Sequence, residues 1–446
     1  MNVWKETKIL AVSRRRKMKE RMAIIEGVRS PIAKAGGKFK DIQADTLGAR
    51  VVQEAVLRSG LDFDAYDEVI IGNVAQPSHA ANIARVIALK AGFSAGISAY
   101  TVNRNCASGM ESITSASEKI LAGSGSVYLC GGVESMSNVP LLFGIQMKHF
   151  LETFSKAKTF KQKLTTLSHF KPSYLRPIIG LMQGLRDPVS GLMMGSTAEV
   201  LAQDFGIGRE EQDLFALKSH QKAAAAREKG LFAQEIVPIV YDLDKAKVME
   251  HDDGIRADQT LEALARLHPF FDPVNGTVTA GNSSQISDAA AALTLMSESE
   301  AKKRGIEPLG YLSGFAYTGL DPKRMGMGPL FATAKLFTAM QLTLKDIDLI
   351  EMNEAFAVQV LANLTAFPSE RYAQTHLNLD KALGEIDEST LNVNGGAVAL
   401  GHPVGMTGTR LVIHLLKELR RRNKERGLAT LCVGGGQGAS LFLEVV

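Results

Sequence analysis

The 446-residue sequence has only three cysteines, few aromatic residues and no long apolar run. An odd, sparse set of cysteines without ligand-like spacing argues against a disulfide framework and against a zinc site, and indicates a reducing compartment. Because no stretch of about 18 consecutive apolar residues occurs, we expect no membrane-spanning helix. The net charge of +4 gives no support for nucleic-acid binding. These absences favour a globular protein, which we expect to be cytoplasmic.

Glycine, in contrast, is abundant, with 41 residues against 6% aromatic residues. Tight turns and close helix–strand packing need residues without a Cβ atom, so this composition favours an α/β protein. The first twenty residues lack the apolar segment of a secretory signal, and we interpret them as a frayed basic arm. Folded structure is predicted from residue 21, where MAIIEGVRSP indicates a buried opening strand.

Two stretches of the sequence follow the same order of predicted elements. In the first, YDEVIIGNV precedes a strand, turn, helix and strand over residues 98–134, and IDLIEMNEA begins the same order in the second. Three landmarks pair collinearly between them, namely Asp67 with Asp348, Asn103 with Asn394, and Cys130 with Cys432. The spacing predicts a diverged duplication of one α/β unit, whose corresponding loops would meet at a shared site.

The repeat is interrupted between its halves. We therefore expect a basic N-terminal arm (1–20), an N-terminal half (21–138, completed by about 286–306), an inserted loop domain (139–285) and a C-terminal half (307–446). Within the loop domain, residues 141–186 contain eight basic residues, one acid and five interleaved phenylalanines. This pattern suits an anionic membrane surface or a partner's groove. The alternative is a lid whose phenylalanines pack on the body of the protein.

Cys106 lies in NRNCASGM, between a predicted strand and a predicted helix. A thiol at the start of a helix faces the positive end of the helix dipole, which lowers its pKa. We therefore predict that Cys106 is a nucleophile at a strand-to-helix turn. The alternative is a small buried apolar residue, as most free cysteines are.

His402 is surrounded by five glycines in GGAVALGHPVGMTG. These glycines indicate a close approach of the backbone to another group, and a histidine on such a loop can present its ring to a site. His402 could be the base that activates Cys106. His414, among leucines on the following helix, is predicted to be structural.

Cys432 ends a short apolar run and precedes VGGGQG. A dinucleotide-binding loop would open a helix, whereas a final strand is predicted here, so we expect the glycines to direct N–H groups at a reacting oxygen. Cys130 has the matching position in the first half and is predicted to be core. Asn353 and Glu354, at a strand-to-helix junction in MNEAFA, could cap the helix, or Asn353 could orient a water or a carbonyl.

Seven segments, in order from about Met22 onward, resemble the signatures of the thiolase family, coenzyme A (CoA)-dependent enzymes that cleave and form carbon–carbon bonds. The segments are NRNCASGMESI, GGVESMS, MGSTAE, TVTAGNSSQISDAAAA, NEAFA, GGAVALGHPVGMTGTR and CVGGGQGAS. The resemblance implies a five-layered α/β/α/β/α fold with two duplicated halves, and a loop domain that carries much of the CoA site.

The resemblance also implies roles for individual residues. Cys106 would be the nucleophile that becomes acylated, His402 would activate it, and Cys432 would be the second acid/base. Asn353 would hold a water that, with His402, stabilises one thioester oxygen. The remaining implied positions are the backbone N–H groups of Cys106 and Gly434 as a second oxyanion hole, Ser284 and Arg256 as CoA contacts, and Met194 in the acyl pocket. No metal or other cofactor is implied, because CoA is a substrate.

Within the family, the basic segment, SKAKTF and GIRADQTLEALARLHPFF are similar to the β-chain of the fatty-acid oxidation trifunctional complex and its bacterial counterparts. This similarity implies 3-ketoacyl-CoA thiolase activity in β-oxidation, a homodimer or dimer of dimers, a possible hydratase/dehydrogenase α-chain and, in a eukaryote, the mitochondrial matrix. Those relatives usually carry His at the position of Asn353, so chain-length preference and the α-chain stay open.

Three alternatives stand beside this interpretation. An acetyl-CoA acetyltransferase that condenses two acetyl-CoA molecules shares every catalytic residue. A ketoacyl synthase would have histidine in place of Cys432. A non-enzymatic lipid-binding or membrane-docking subunit would use the basic segment alone.

Overall fold

The computed structural model describes residues 20–446, so the predicted basic arm lies outside the described residues except for its last residue. The strands of this part of the chain are β1 Met22–Arg29, β2 Ala33–Lys34, β3 Glu68–Gly72, β4 Ser98–Val102, β5 Val127–Ser135, β6 Leu141–Phe143, β7 Pro177–Ile179, β8 Ile239–Asp242, β9 Lys247–Met249, β10 Ser287–Ser297, β11 Gly310–Gly319, β12 Leu349–Met352, β13 Arg426–Val433 and β14 Gln437–Glu444. The helices are α1 Ala44–Ser59, α2 Ile83–Ala91, α3 Ser108–Leu121, α4 Ile145–Lys156, α5 Phe160–Ser168, α6 Gly180–Gly184, α7 Met194–Phe205, α8 Arg209–Glu228, α9 Leu261–Ala265, α10 Glu298–Arg304, α11 Gly328–Met340, α12 Ala357–Ala366, α13 Glu370–Tyr372, α14 Ala397–Leu400 and α15 Val404–Arg421.

The main sheet consists of two half-sheets with the same pattern. The first has the order β4-β3-β5-β10-β1 and the second has the order β12-β13-β14-β11. In each half an inner parallel pair, β3 with β5 or β12 with β13, is followed by antiparallel neighbours. The halves join where β1 pairs with β11 over only three positions, Met22 to Ile24.

Helices pack on both sides of each half-sheet and produce five layers. α1 covers β5 and β10 on the outside of the first half, and α11 covers β11 and β14 on the outside of the second. α3 and α15 pack against each other between the halves, and α15 contacts both β5 and β13. The predicted α/β/α/β/α architecture is confirmed.

Both faces of β10 are buried, which explains its continuous apolar sequence. Leu293 and Leu295 pack with the central helices, whereas Ala290 and Ala292 face the core under α1. Successive side chains of a strand point to opposite faces, so a strand between two helix layers needs apolar residues at almost every position.

The proposed duplication is visible in two equivalent aspartates. Asp67 Oδ2 accepts hydrogen bonds from the N–H groups of Ser126 and Val127 at the start of β5. Asp348 Oδ2 accepts from Glu425 and Arg426 at the start of β13. The predicted pairing of Asp67 with Asp348 is confirmed, because each aspartate tethers the parallel neighbour of its own strand.

Glycines allow the two central helices to approach closely. A Cβ atom on Gly109 of α3 would lie 2.6 Å from Thr409 Oγ1, and one on Gly408 of α15 would lie 2.6 Å from the Met110 nitrogen. Neither distance permits a side chain. The close contact brings together the N-terminal ends of α3 and α15, next to which the candidate nucleophile and base lie.

Residues 141–186 form the antiparallel pair β6–β7 and the helices α4 and α5, and most of their side chains are exposed. Phe160 is 81% exposed and Leu141 is 64% exposed. The rings of Phe150 and Phe170 contact each other and Tyr174 in tilted and edge-to-face arrangements, within the segment itself. In this single chain, the lid interpretation is therefore not supported, because the phenylalanines do not join the core of the body.

Candidate active site

Cys106 lies in a tight turn between β4 and α3. Asn105 has a φ of +45°, and Ser108 Oγ donates to the Asn105 carbonyl at 2.7 Å while accepting from the Arg104 N–H at 2.9 Å. Asn105 Nδ2 also donates to the Gly434 carbonyl at 2.8 Å. The turn is therefore fixed both to its own helix and to the glycine loop of the other half.

The backbone N–H groups of Gly434 and of Cys106 itself lie beside the Cys106 thiol and lower its pKa. Burial is the larger effect and raises the pKa of Cys106 above its ordinary value. The expectation that the helix start lowers this pKa is wrong, because desolvation outweighs the polar contacts. Ionisation of Cys106 therefore needs a base.

His402 is buried, with 7% of its surface exposed, directly before α15. Its Nδ1 lies 2.7 Å from Thr407 Oγ1, and that hydroxyl donates its only proton to the Pro403 carbonyl at 3.0 Å. Thr407 must therefore accept from Nδ1–H, which leaves Nε2 unprotonated. Burial lowers the pKa of His402 to about 3, and the positive charge of Arg410 adds to this effect. The ring is a neutral base at physiological pH.

Asn353 follows β12, is completely buried, and places Nδ2 3.5 Å from His402 Nε2. Its backbone N–H donates to the Thr430 carbonyl at 2.9 Å, which ties it to β13. Asn353 Oδ1 has no hydrogen-bond partner within residues 20–446. A buried acceptor of this kind is suited to a water or a substrate donor.

Cys432 lies near the end of β13, opposite Gly438 of β14, and is 1% exposed. Burial raises the pKa of the Cys432 thiol, and the negative charge of an ionised Cys106 raises it further. Cys432 is therefore close enough to Cys106 for the charge of one thiol to affect the other's pKa. Met194, at the start of α7, borders this site, since a Cβ atom on Gly434 would lie 3.3 Å from Met194 Sδ.

Cys130 is the internal comparison for Cys432. It lies on β5, the strand equivalent to β13, is fully buried, and packs within the core beside the central helices. The predicted pairing of Cys130 with Cys432 is wrong, because the pairing of Asp67 with Asp348 makes Ile70 equivalent to Glu351, and their parallel partners are Cys130 and Ala429. Burial alone raises the pKa of its thiol, with no contribution from Cys106. The prediction that Cys130 is a core residue is confirmed.

The two expected CoA contacts lie in different settings. Ser284 is half-buried, and its N–H donates to the Ala355 carbonyl at 3.0 Å, close to Asn353. Arg256 is exposed, and its N–H donates to His220 Nδ1 at 3.2 Å. No hydrogen bond or ion pair among the described residues joins Arg256 to Cys106 or His402. The structure thus brings Ser284 near the site and leaves Arg256 at the surface.

Sequence reasoning missed Thr407 and Glu134. Thr407 follows His402 by five residues, and its position one turn into the next helix could have indicated that its hydroxyl lies near the His402 ring. Glu134 comes from the other half of the chain, and no local pattern links it to His402. In residues 20–446 no cluster of three or more His, Cys, Asp or Glu side chains is arranged to hold a metal ion. The same residues contain no helix with the length and hydropathy needed to cross a membrane.

Comparisons with known proteins agree with this fold. Residues 22–299 match the thiolase N-terminal domain and residues 306–445 match the thiolase C-terminal domain. A 3-ketoacyl-CoA thiolase of Yersinia enterocolitica is 41% identical over 427 residues, which cover 96% of this chain and 97% of that protein.

Two solved structures are similar over almost their whole length. The acetyl-CoA acetyltransferase of Bacillus anthracis has a TM-score of 0.84 and 40% identity, covering 96% of this chain and 100% of its own. The human mitochondrial 3-ketoacyl-CoA thiolase in complex with CoA has a TM-score of 0.82 and 36% identity, covering 96% and 99%.

The layered fold and these comparisons define an acyltransferase. The chain belongs to the thiolase family, as its sequence motifs predicted.

Proposed function

We propose that the site between Cys106, His402 and Cys432 cleaves 3-ketoacyl-CoA with CoA through an acyl-cysteine intermediate. The chain is a 3-ketoacyl-CoA thiolase, the activity of the curated relatives that it matches over 96% of its length. The observation that carries the mechanism is the placement of the Cys106 thiol against two backbone N–H groups, with the Cys432 thiol in the same site.

The first step is removal of the Cys106 proton by His402. The unprotonated Nε2 accepts it, and Thr407 keeps the ring in the tautomer that makes this possible. Since burial disfavours the free thiolate, Cys106 ionises as it attacks the 3-keto carbon rather than beforehand. Because deprotonation is coupled to attack, Cys106 stays a neutral thiol until substrate is bound.

The second step is cleavage of the bond between C2 and C3. Its electron pair passes to the acetyl-CoA fragment as an enolate, and the Cys432 thiol donates a proton to C2 to give acetyl-CoA. A second CoA, deprotonated by the Cys432 thiolate, then attacks the acyl-Cys106 carbonyl and restores the Cys106 thiolate, which His402 reprotonates. The net proton transfer is from the CoA thiol to C2 of acetyl-CoA, and Cys106, His402 and Cys432 each regain their starting protonation state, so the cycle balances with CoA as co-substrate and without another cofactor.

Two groups of donors would stabilise negative charge on oxygen. The N–H groups of Cys106 and Gly434 face the acyl-cysteine carbonyl, and His402 with a water held by Asn353 faces the thioester oxygen of the acetyl fragment. Met194 would line the acyl pocket, Ser284 would contact the CoA chain, and Arg256 at the surface would bind the charged end of CoA.

The acyl chain length is tested by comparing kcat/KM for thiolysis of acetoacetyl-CoA and 3-ketohexadecanoyl-CoA. A higher value for the 16-carbon substrate is expected for a β-oxidation enzyme. Activity confined to the four-carbon substrate would instead establish the second candidate, an acetyl-CoA acetyltransferase. The 40% identity to the Bacillus anthracis acetyltransferase structure favours that candidate.

The exposed segment 141–186 supports a proposal about partners. Its apolar side chains, among them Phe160 and Leu141, and its excess of basic residues suit peripheral contact with an anionic membrane. A homodimer or dimer of dimers and a hydratase/dehydrogenase α-chain are the protein partners that we propose from the family resemblance. No nucleic-acid partner is proposed.

A further inference from the structure

The carboxylate of Glu134, near the end of β5, is completely buried and binds four N–H donors. Its Oε1 accepts from the Ala75 N–H at 3.0 Å and from Asn73 Nδ2 at 3.2 Å. Its Oε2 accepts from the Val74 N–H at 3.1 Å and from the Gly405 N–H at 2.9 Å. Removing a carboxylate from water costs several kcal/mol unless such bonds replace its hydration.

These four donors come from opposite halves of the chain. Asn73, Val74 and Ala75 form the loop that follows β3 in the first half. Gly405 is the third residue after His402 and the second residue of α15 in the second half. Cys106 belongs to the first half and His402 to the second, so the relative position of nucleophile and base depends on contacts of this kind.

Glycines bring the two backbones close enough for this contact. A Cβ atom on Gly132 of β5 would lie 2.1 Å from the Gly405 carbonyl oxygen. One on Gly405 would lie 2.8 Å from Glu134 Oε2 and 3.1 Å from the Asn73 Cα. No side chain fits at either position, so the histidine loop lies directly on the strand that carries Glu134.

We propose that Glu134 is a positioning residue, which fixes the His402 loop against the half of the chain that carries Cys106 by binding the Gly405 N–H. The inference rests on the proposed function, because Glu134 has no chemical role of its own and acts only through the position of His402. A buried acceptor that satisfies donors from both halves resists their relative movement, because each displaced donor would be left unpaired.

The test is Glu134→Gln, which keeps the side chain's size but places an amide group, itself a donor, among four donors. We expect kcat for thiolysis to fall about 10- to 100-fold, as for a catalytic group displaced by about 1 Å. KM for CoA should stay within about twofold. The rate of Cys106 alkylation by iodoacetamide should fall as well, because displacement of His402 outweighs the loss of the Glu134 negative charge, which by itself would lower the pKa of Cys106.

Two controls separate positioning from loss of stability. Asp67→Asn removes a carboxylate that binds two backbone N–H groups at the opposite end of β5, and it should lower the unfolding midpoint without changing kcat. In a His402→Ala background, Glu134→Gln should cause no further loss of the alkylation rate. A further loss there, or an unchanged kcat in the single variant, would overturn the proposal.

If Glu134→Gln does not fold, Asn73→Ala removes one of the four donors more mildly. It should lower kcat several-fold in the wild-type background and leave alkylation unchanged in the His402→Ala background. Unchanged kcat would overturn the proposal. An unmodified enzyme that forms no acyl-Cys106 would instead refute the proposed function, so the two failures are distinguishable.

Discussion

Thr407 Oγ1 accepts a hydrogen bond from His402 Nδ1 at 2.7 Å and donates one to the Pro403 carbonyl at 3.0 Å. A hydroxyl has a single proton, so these two contacts together decide which ring nitrogen of His402 carries hydrogen. The unprotonated nitrogen lies on the side of Asn353. In the proposed mechanism, Thr407 thus sets the direction of proton transfer at the site.

Thr407→Val should therefore impair catalysis with little loss of folding. The substitution keeps the shape of the side chain but removes the acceptor of Nδ1–H, so the other tautomer becomes populated. We expect kcat to fall by about 10-fold or more, which is the size of effect expected from losing the one hydrogen bond that orients the His402 ring. Thr407→Ser keeps the hydroxyl and should retain most of the activity. Equal rates for the valine and serine variants would contradict this role.

Cys106→Ala should abolish the acyl-enzyme. Intact-mass measurement after incubation with a 3-ketoacyl-CoA should show an acyl adduct on the unmodified protein and none on the variant, because the attacking sulfur is absent. Cys130→Ala provides the matched control, since Cys130 is a buried thiol on the equivalent strand and is remote from the reaction. The adduct should persist in that variant. An adduct on Cys106→Ala would disprove the nucleophile assignment.

Cys432→Ala should separate the two proton transfers. Cys106 and His402 stay intact, so the variant should still accept an acyl group from a thioester. It should fail to exchange the acetyl protons of acetyl-CoA with deuterated water, because the group that moves this proton is missing. Nuclear magnetic resonance of the methyl signal measures the exchange. Exchange at the rate of the unmodified enzyme would assign the proton transfer to another group.

Stability should decrease as the pH falls below about 6.5, the ordinary pKa of histidine. Burial lowers the pKa of His402 to about 3 and that of His220 to about 4. Between the ordinary pKa of histidine and these lowered values, the unfolded chain therefore binds more protons than the folded chain, so acid favours unfolding. Each histidine should contribute about 1 kcal/mol of lost stability by pH 5.5. Urea midpoints at pH 7.5 and 5.5 should differ less for His220→Gln than for the unmodified protein; an unchanged difference would contradict the assignment.

Binding of the segment 141–186 to liposomes should depend on salt and on anionic lipid. Vesicles with phosphatidylserine should bind the protein at low ionic strength and release it above about 0.3 M salt, since screening shortens the reach of its lysines. Replacing Lys156, Lys158, Lys161 and Lys163 by glutamine should weaken binding and leave thiolysis unchanged. The same replacements at Lys302 and Lys303 of α10, two exposed lysines elsewhere, should have no effect. If binding is absent or insensitive to salt, the membrane proposal is wrong, and a protein partner is then the proposed ligand of the segment 141–186.

Features that depend on local backbone requirements could be predicted from short stretches of the sequence. A strand followed by a helix start places Cys106 in a turn, and the aspartates at positions 67 and 348 mark equivalent strand ends, so both could be predicted from short segments. The apolar run of β10 and the glycines near His402 likewise record where two faces are buried or where two backbones touch. Such signals need no knowledge of distant residues.

The electrostatics of the site and the exposure of the segment 141–186 depend on contacts between distant parts of the chain. The pKa of Cys106 is raised rather than lowered, because burial depends on all the layers around it and outweighs the helix end. The bond between Glu134 and Gly405 joins residues 271 positions apart, and the tautomer of His402 depends on a shared hydroxyl. The phenylalanines of 141–186 contact one another and leave an apolar surface, which their spacing could not reveal. These properties come from groups brought together by folding, and desolvation and hydrogen bonding act over distances in space rather than along the chain.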